Sequence, residues 1–244
     1  LEELEALRAD LTLASRGREA IAVRATLALA ALLAISGPAT AAVESIDEML
    51  ERFTVDTEGR AGPIRELLVA RLLVAKGEAY RALGRPSDAR AALERAIACA
   101  GAGTRPPGAD AALVSAEAAR VLGSVLRSLG HVEEALLQQE SALTTFREIG
   151  DRAREGICLG EIGATHQSEG RLALARRCHA EAIAIHVAMG SRRAEGVERS
   201  YLAVATHRAG DPARALALHE AALSIHREAG HRRLEGAELL HLGF

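Results

Sequence analysis

Glycines recur along this chain at a fixed step of forty residues: Gly130, Gly170 and Gly210, then Gly150, Gly190 and Gly230, then the pairs Glu155-Gly156, Glu195-Gly196 and Glu235-Gly236. A constant step of this length confines the chain to architectures in which one small unit stacks on its own copies, because a lone unit cannot bury its apolar side. Between the glycines of a copy, apolar residues fall three, four and seven apart, as in Val132, Ala135, Leu136, Ala142, Leu143 and Ile149, and again in Ala213, Leu216, Ala222 and Leu223. That is one face of a helix. A similar run follows the second glycine, with Ile157, Leu159, Ile162 and Gly163, so each copy predicts two helices joined by short turns. The glycines supply left-handed helix ends, and Asp211-Pro212 opens the next helix with a capping side chain and a proline in its first turn.

Small residues recur where the helices of a hairpin must meet: Gly123, Gly163, Ala203 and Gly243 in the first helix, Ala135, Ala175 and Ala215 in the second, and Ala142, Ala182 and Ala222 one contact further on. With Leu122-Gly123, Gly130, Ala135 and Ala142 at their mutual spacings, the chain resembles the tetratricopeptide repeat in its longer, forty-residue form. The resemblance implies an all-α fold, a right-handed α-solenoid of antiparallel helix-turn-helix repeats. Two features depart from the family pattern. Leu126, His166 and Thr206 stand where the first helix often has tyrosine, and Gln139, His179 and His219 where the second often has a ring. The usual proline between repeats is replaced by Gly-Asp-Arg, Gly-Ser-Arg and Gly-His-Arg.

In this register residues 1–16 form the trailing helix of a preceding repeat, followed by repeats at 18–54, 62–101, 109–150, 151–190 and 191–230 and a truncated one at 231–244. The chain reads as one fragment of a longer solenoid, whose uncapped ends can self-associate. The apolar run from Ala25 to Ile35 fits a repeat helix better than a secretory signal, since Glu2, Glu3, Glu5, Asp10 and Glu19 lie upstream, and it is too short to span a bilayer. Gly101 to Gly108, with Pro106 and Pro107, precludes helix and predicts a hinge.

No motif for catalysis stands out. Gly101-Ala102-Gly103-Thr104 lacks the Gly-Lys-Ser/Thr of a phosphate loop, and His179-Ala180-Glu181 lacks the paired cysteines of a zinc deaminase. His179 and His186, repeated as His219 and His226, share a helix stripe, and no carboxylate is expected to orient them. They read as partly buried imidazoles copied with the repeat. Neither a metal nor a cofactor is expected. Cys99, Cys158 and Cys178 are odd in number and unpatterned, so reduced thiols and a cytoplasmic location are expected. A net charge of −3 with only 2% aromatic residues argues against nucleic acid as a partner.

Binding is the expected role. In the family the first helices line a concave groove, which here implies Glu117, Arg120, Ser124 and Arg127, then Ile157, Gly160, Ala164 and Gln167, then Val197, Ser200, Val204 and His207. The arginines suit an extended acidic or mixed segment. The family's clamp for a terminal carboxylate relies on Asn and Lys, and this chain has no Asn and only Lys76, so that mode is excluded. The reading is therefore a protein-interaction scaffold, the repeat region of a larger bacterial signalling or transcription-regulatory protein, holding a partner segment or a neighbouring domain. The alternative is an effector-sensing domain for a peptide or small molecule, controlling an attached output domain. An enzyme is not expected.

Overall fold

A computed structural model describes residues 20–28, 30, 39–55, 63–101 and 108–243. Among them every regular element is helical and no strand occurs. The proposed helix at 1–16, most of the loop Thr54 to Gly62 and residues 102–107 of the predicted hinge lie outside the described residues. The chain separates into two compact units, Leu1–Val125 and Leu126–Phe244. This boundary falls within a helix, not in the glycine- and proline-rich loop that the sequence marks as a hinge.

In the first unit a helical segment at residues 20–28 is followed by α1 (Ala39–Val55), α2 (Pro63–Ala82) and α3 (Pro86–Gly101), and α4 (Ala109–Ser128) carries the boundary. Val23, Ala42, Ile46, Met49, Leu68 and Leu72 form one buried cluster here. α2 lies close against α3 because Gly77 has no side chain, and a Cβ there would meet Leu93 Cγ at 2.5 Å.

In the second unit α5 (Val132–Ile149), α6 (Arg152–Ser168), α7 (Leu172–Ala188), α8 (Arg192–Arg208), α9 (Pro212–Glu228) and α10 (Arg232–Leu242) pack in sequence, with α7 lying between α6 and α8 and α9 between α8 and α10. This is an α-solenoid of helix-turn-helix hairpins. The turns carry the fixed step. Gly150 sits at φ 78°, ψ 20°, where its N–H reaches Arg147 O at 3.2 Å and that of Asp151 reaches Phe146 O at 2.9 Å. Those two bonds form a Schellman motif, and they recur at Gly190 and Gly230. The next helix starts at once, with Asp151 and Asp211 each accepting from the backbone N–H three residues on, at 3.0 Å.

The apolar stripes pack as their spacing requires. Ala135, Ala175, Ala203 and Ala215 are at most 2% exposed, as are Ala142, Ala182 and Ala222. The positions where the family has rings are also buried, filled by Leu126, His166 and Thr206 and by Gln139, His179 and His219.

Candidate partner-binding face

The groove residues implied by the resemblance differ in what they can offer a partner. Glu117, Arg120 and Ser124 belong to the first unit, where Arg120 is only 8% exposed and donates to Glu117 Oε1 at 2.7 Å, with Glu78 3.5 Å away. Burial raises the pKa of Glu78 despite the nearby Arg120 guanidinium. Arg120 is thus an internal ion-pair partner. Ser124 is buried, Glu117 half-buried, and Arg127, at the start of the second unit, half-buried with its Nε enclosed.

In the second unit Ile157 and His207 are exposed, while Ala164, Gln167, Val197, Ser200 and Val204 are half-buried along α6 and α8. Four of the seven, Ile157, Ala164, Val197 and Val204, are aliphatic. Tyr201, one turn beyond Val197 on α8, is 44% exposed, and Leu240, at the register of Ser200, is 77% exposed on α10. Neither was marked by the sequence. Gly160 does not belong to the open face: it is buried, and a Cβ there would fall on the carboxylate of Glu198.

Glu198 corrects the expectation that no carboxylate orients the repeated histidines. Its Oε2 lies 2.8 Å from Nδ1 of the fully buried His179, and one repeat later Glu238 Oε2 lies 2.7 Å from His219 Nδ1. In each pair the imidazole comes from a second helix and the carboxylate from the first helix of the next repeat, so the pair bridges a seam between repeats. A ring three residues after each glutamate completes the arrangement. Tyr201 stacks on His179 with centroids 5.5 Å apart, and His241 on His219 at 4.9 Å.

Glycines of the first helices make room for these rings. A Cβ on Gly163 would lie 2.7 Å from His179 Cε1, and one on Gly156 would lie 2.8 Å from His186 Cε1. The tight neighbour of Gly163 is therefore a histidine, whereas the small-residue spacing had pointed to Ala175. Gly196 receives His226 in the same way. Burial holds the pKa values of His166, His186 and His226 below their ordinary 6.5.

Of the carboxylates of the Glu-Gly pairs, Glu155 and Glu235 fasten adjoining helices, through Arg147 and Arg227, while Glu195 is held within its own helix. Glu155 accepts from Arg147 and Arg152, Glu195 from Arg192 and Arg199, and Glu235 from Arg227. A cavity of about 200 Å³ opens beside Val204, His207, His219 and His241. Among the described residues no group of three His, Cys, Asp or Glu side chains could hold a metal ion, and no helix is long and apolar enough to cross a membrane.

Residues 199–229 match the tetratricopeptide repeat family. A search of curated proteins returns no match to the sequence. Among solved structures, BtubC (BKLC) from P. vanneervenii superimposes with a TM-score of 0.68 at 19% identity, over 91% of this chain and 92% of that one. The Rap conjugation gene regulator of plasmid pLS20, in complex with the Phr* peptide, gives 0.67 at 17% identity, over 82% of this chain and 53% of that one. A signal transduction ATPase from Pyrococcus horikoshii, described as having a tetratricopeptide repeat sensor, gives 0.69 at 16% identity, over 89% of this chain and 31% of the ATPase. At these identities the likeness is one of fold. The helical hairpins of this chain share the helical-repeat fold of these structures, and residues 199–229 are similar to a tetratricopeptide repeat.

Proposed function

We propose that the chain is a protein-interaction scaffold, and that the face formed by the first helices of the second unit binds a segment of a partner protein or of a neighbouring domain. The observation that carries this reading is the contrast between the two sides of α6 and α8. Their inner sides are sealed by alanine, glycine and ion-paired glutamate, yet Ile157 and Tyr201 stand 43% and 44% exposed on the outer stripe, beside half-buried Val197 and Val204. Exposed aliphatic and aromatic side chains in register lower the stability of nothing when covered, and contribute to association. The setting we favour is the repeat region of a larger bacterial signalling or transcription-regulatory protein acting in the cytoplasm. The role is binding and not catalysis.

Affinity capture tests this, with bound proteins compared between the wild type and Val197→Asp, Val204→Asp, and with Val187→Asp as a control on the exposed side of α7. A specific protein lost only in the first variant supports the reading. Identical capture by all three forms refutes it.

A second reading, effector sensing, is favoured by the stack of exposed Tyr201 on buried His179, because it joins the open face to the seam between repeats. The pLS20 regulator's complex with the Phr* peptide and the ATPase's tetratricopeptide repeat sensor are compatible with it. Small-angle scattering separates the two: a sensor changes its scattering profile when its effector binds, and a passive scaffold does not.

A further inference from the structure

We propose that α7 and α9 are acid-released latches: buried imidazoles hold each helix in place and have no acceptor for an added proton, so acidification frees these helices before the rest of the fold opens. All nine histidines of the chain lie between residues 131 and 241, so the first unit has none. Four of them make two copies of one arrangement. On α7 His179 and His186 are 0% and 3% exposed, seven residues apart on one stripe, and the single carboxylate of Glu198 on α8 acts on both. On α9 His219 and His226 stand in the same relation to Glu238 of α10. α5 carries no such latch. Gln139, Phe146 and Cys158 occupy the registers of His179, His186 and Glu198, and Cys158 Sγ donates to Gln139 O at 3.2 Å.

An imidazolium has two N–H donors and needs two acceptors. Glu198 takes the hydrogen on His179 Nδ1, while His179 Nε2 is buried without a partner, and neither nitrogen of His226 has one. A proton added there stays unpaired and desolvated until the helix moves. The elements around the rings cannot supply the acceptor. α6 sets glycines against them, Gly163 at His179 and Gly156 at His186, and α8 adds only Glu198 and the ring of Tyr201. Around His226, α8 presents Gly196 and α10 presents Glu238, while His231 ahead of α10 opposes further positive charge. His219 meets Glu238 and the ring of His241. Burial holds His186 and His226 below their ordinary 6.5, so the stability their neutral rings contribute is complete above that value and is lost as pH falls through the folded one. A ring that binds its proton only after opening favours the open form about ten-fold more at about pH 5.5 than at about pH 7.5. Because Tyr201 lies on His179, release of α7 also reshapes the face proposed above, but the latch does not depend on what that face binds.

Amide hydrogen exchange read by mass spectrometry on the full chain tests this at about pH 7.5 and about pH 5.5, with labelling times scaled for intrinsic exchange. The double variant His179→Gln, His186→Phe gives α7 the residues that α5 has at the same register, and fully buried Phe146 shows that a ring without nitrogens fills it. The exposed His131→Gln is the control. His166, buried on α6 near Glu133, Glu140, Arg171 and Arg177, is retained in every form. In the wild type α7 and α9 should lose protection about ten-fold or more on acidification, and α2, α3 and α5 less than about three-fold. The loss should vanish from α7 and persist in α9 in the double variant, and the control should match the wild type. Nuclear magnetic resonance of the ring nitrogens needs no variant: His186 and His226 should take up protons in step with the loss of amide protection around them. Unchanged protection in α7 and α9, an equal fall in α2, α3 or α5, or an undiminished response of α7 in the double variant would each overturn the proposal. Rings that titrate while the surrounding amides stay protected would overturn it too, and that measurement decides the matter if the double variant does not fold.

Discussion

Replacing Glu198 by alanine isolates the bond that holds the α7–α8 seam. His179 is completely buried, and its Nε2 has no partner, so the hydrogen bond from Nδ1 to Glu198 is the ring's polar anchor. Removing the acceptor leaves a buried imidazole with neither nitrogen bonded, which costs about 1–3 kcal/mol. The lost packing of a buried methylene adds about 0.8 kcal/mol. We expect a total of about 2–4 kcal/mol for Glu198→Ala. Glu198→Gln keeps an acceptor oxygen and should cost about 1 kcal/mol or less. The assay is urea unfolding followed by far-ultraviolet circular dichroism, read as the shift in midpoint at unchanged slope. His179→Leu alone strands the glutamate beside Gly160, and a double-mutant cycle with Glu198→Leu should show a coupling of about 1–3 kcal/mol. Equal losses for Glu198→Ala and Glu198→Gln would refute the reasoning, since the seam would then depend on side-chain volume and not on the hydrogen bond.

Three further outcomes are expected. Gly163→Leu drives a side chain into the His179 ring, which lies 2.7 Å from where a Cβ would sit, and should destabilise the chain by about 1–3 kcal/mol in the same unfolding assay. Asp211→Ala removes the cap that accepts from Arg214 N–H and should cost about 1 kcal/mol in thermal unfolding. Stability should fall as the pH drops below 6.5. His186 and His226 have folded pKa values held below 6.5 by burial, outweighing the opposing pull of Glu198 and Glu238, so the unfolded chain binds protons first. Their contribution is fully present above the unfolded value and is lost as pH falls through the folded one, and His186→Leu, His226→Leu should flatten unfolding midpoints between about pH 7 and 5.5.

Much of the fold is legible in the sequence because it is written locally. Gly150, Gly190 and Gly230 each take a positive φ at the end of a helix, and Asp151 and Asp211 cap the helix that follows, all within a few residues. The seams are less legible because their partners lie in different repeats. His179 and Glu198 are nineteen residues apart, as are His219 and Glu238, and that shared interval is the signal that was available. The small-residue rule explains Ala175 and Ala215, but for Gly163 it names the wrong neighbour, since a notch can admit a ring as well as another small residue. Arg120 shows the same limit on the candidate face. Its register places it with the open side chains, while Glu117 and Glu78 draw it into a buried ion pair, which a count of arginines does not reveal.

The most direct test of the proposed face is site-specific photo-cross-linking. A photoreactive amino acid replaces Val197 on α8 or, as a control, the exposed Val187 on α7, and irradiated adducts are identified by mass spectrometry. Adducts from position 197 to one defined partner segment, absent from position 187, are the predicted result. Adducts formed equally from both positions, or from position 187 alone, would contradict the claim that the first helices of the second unit bind the partner.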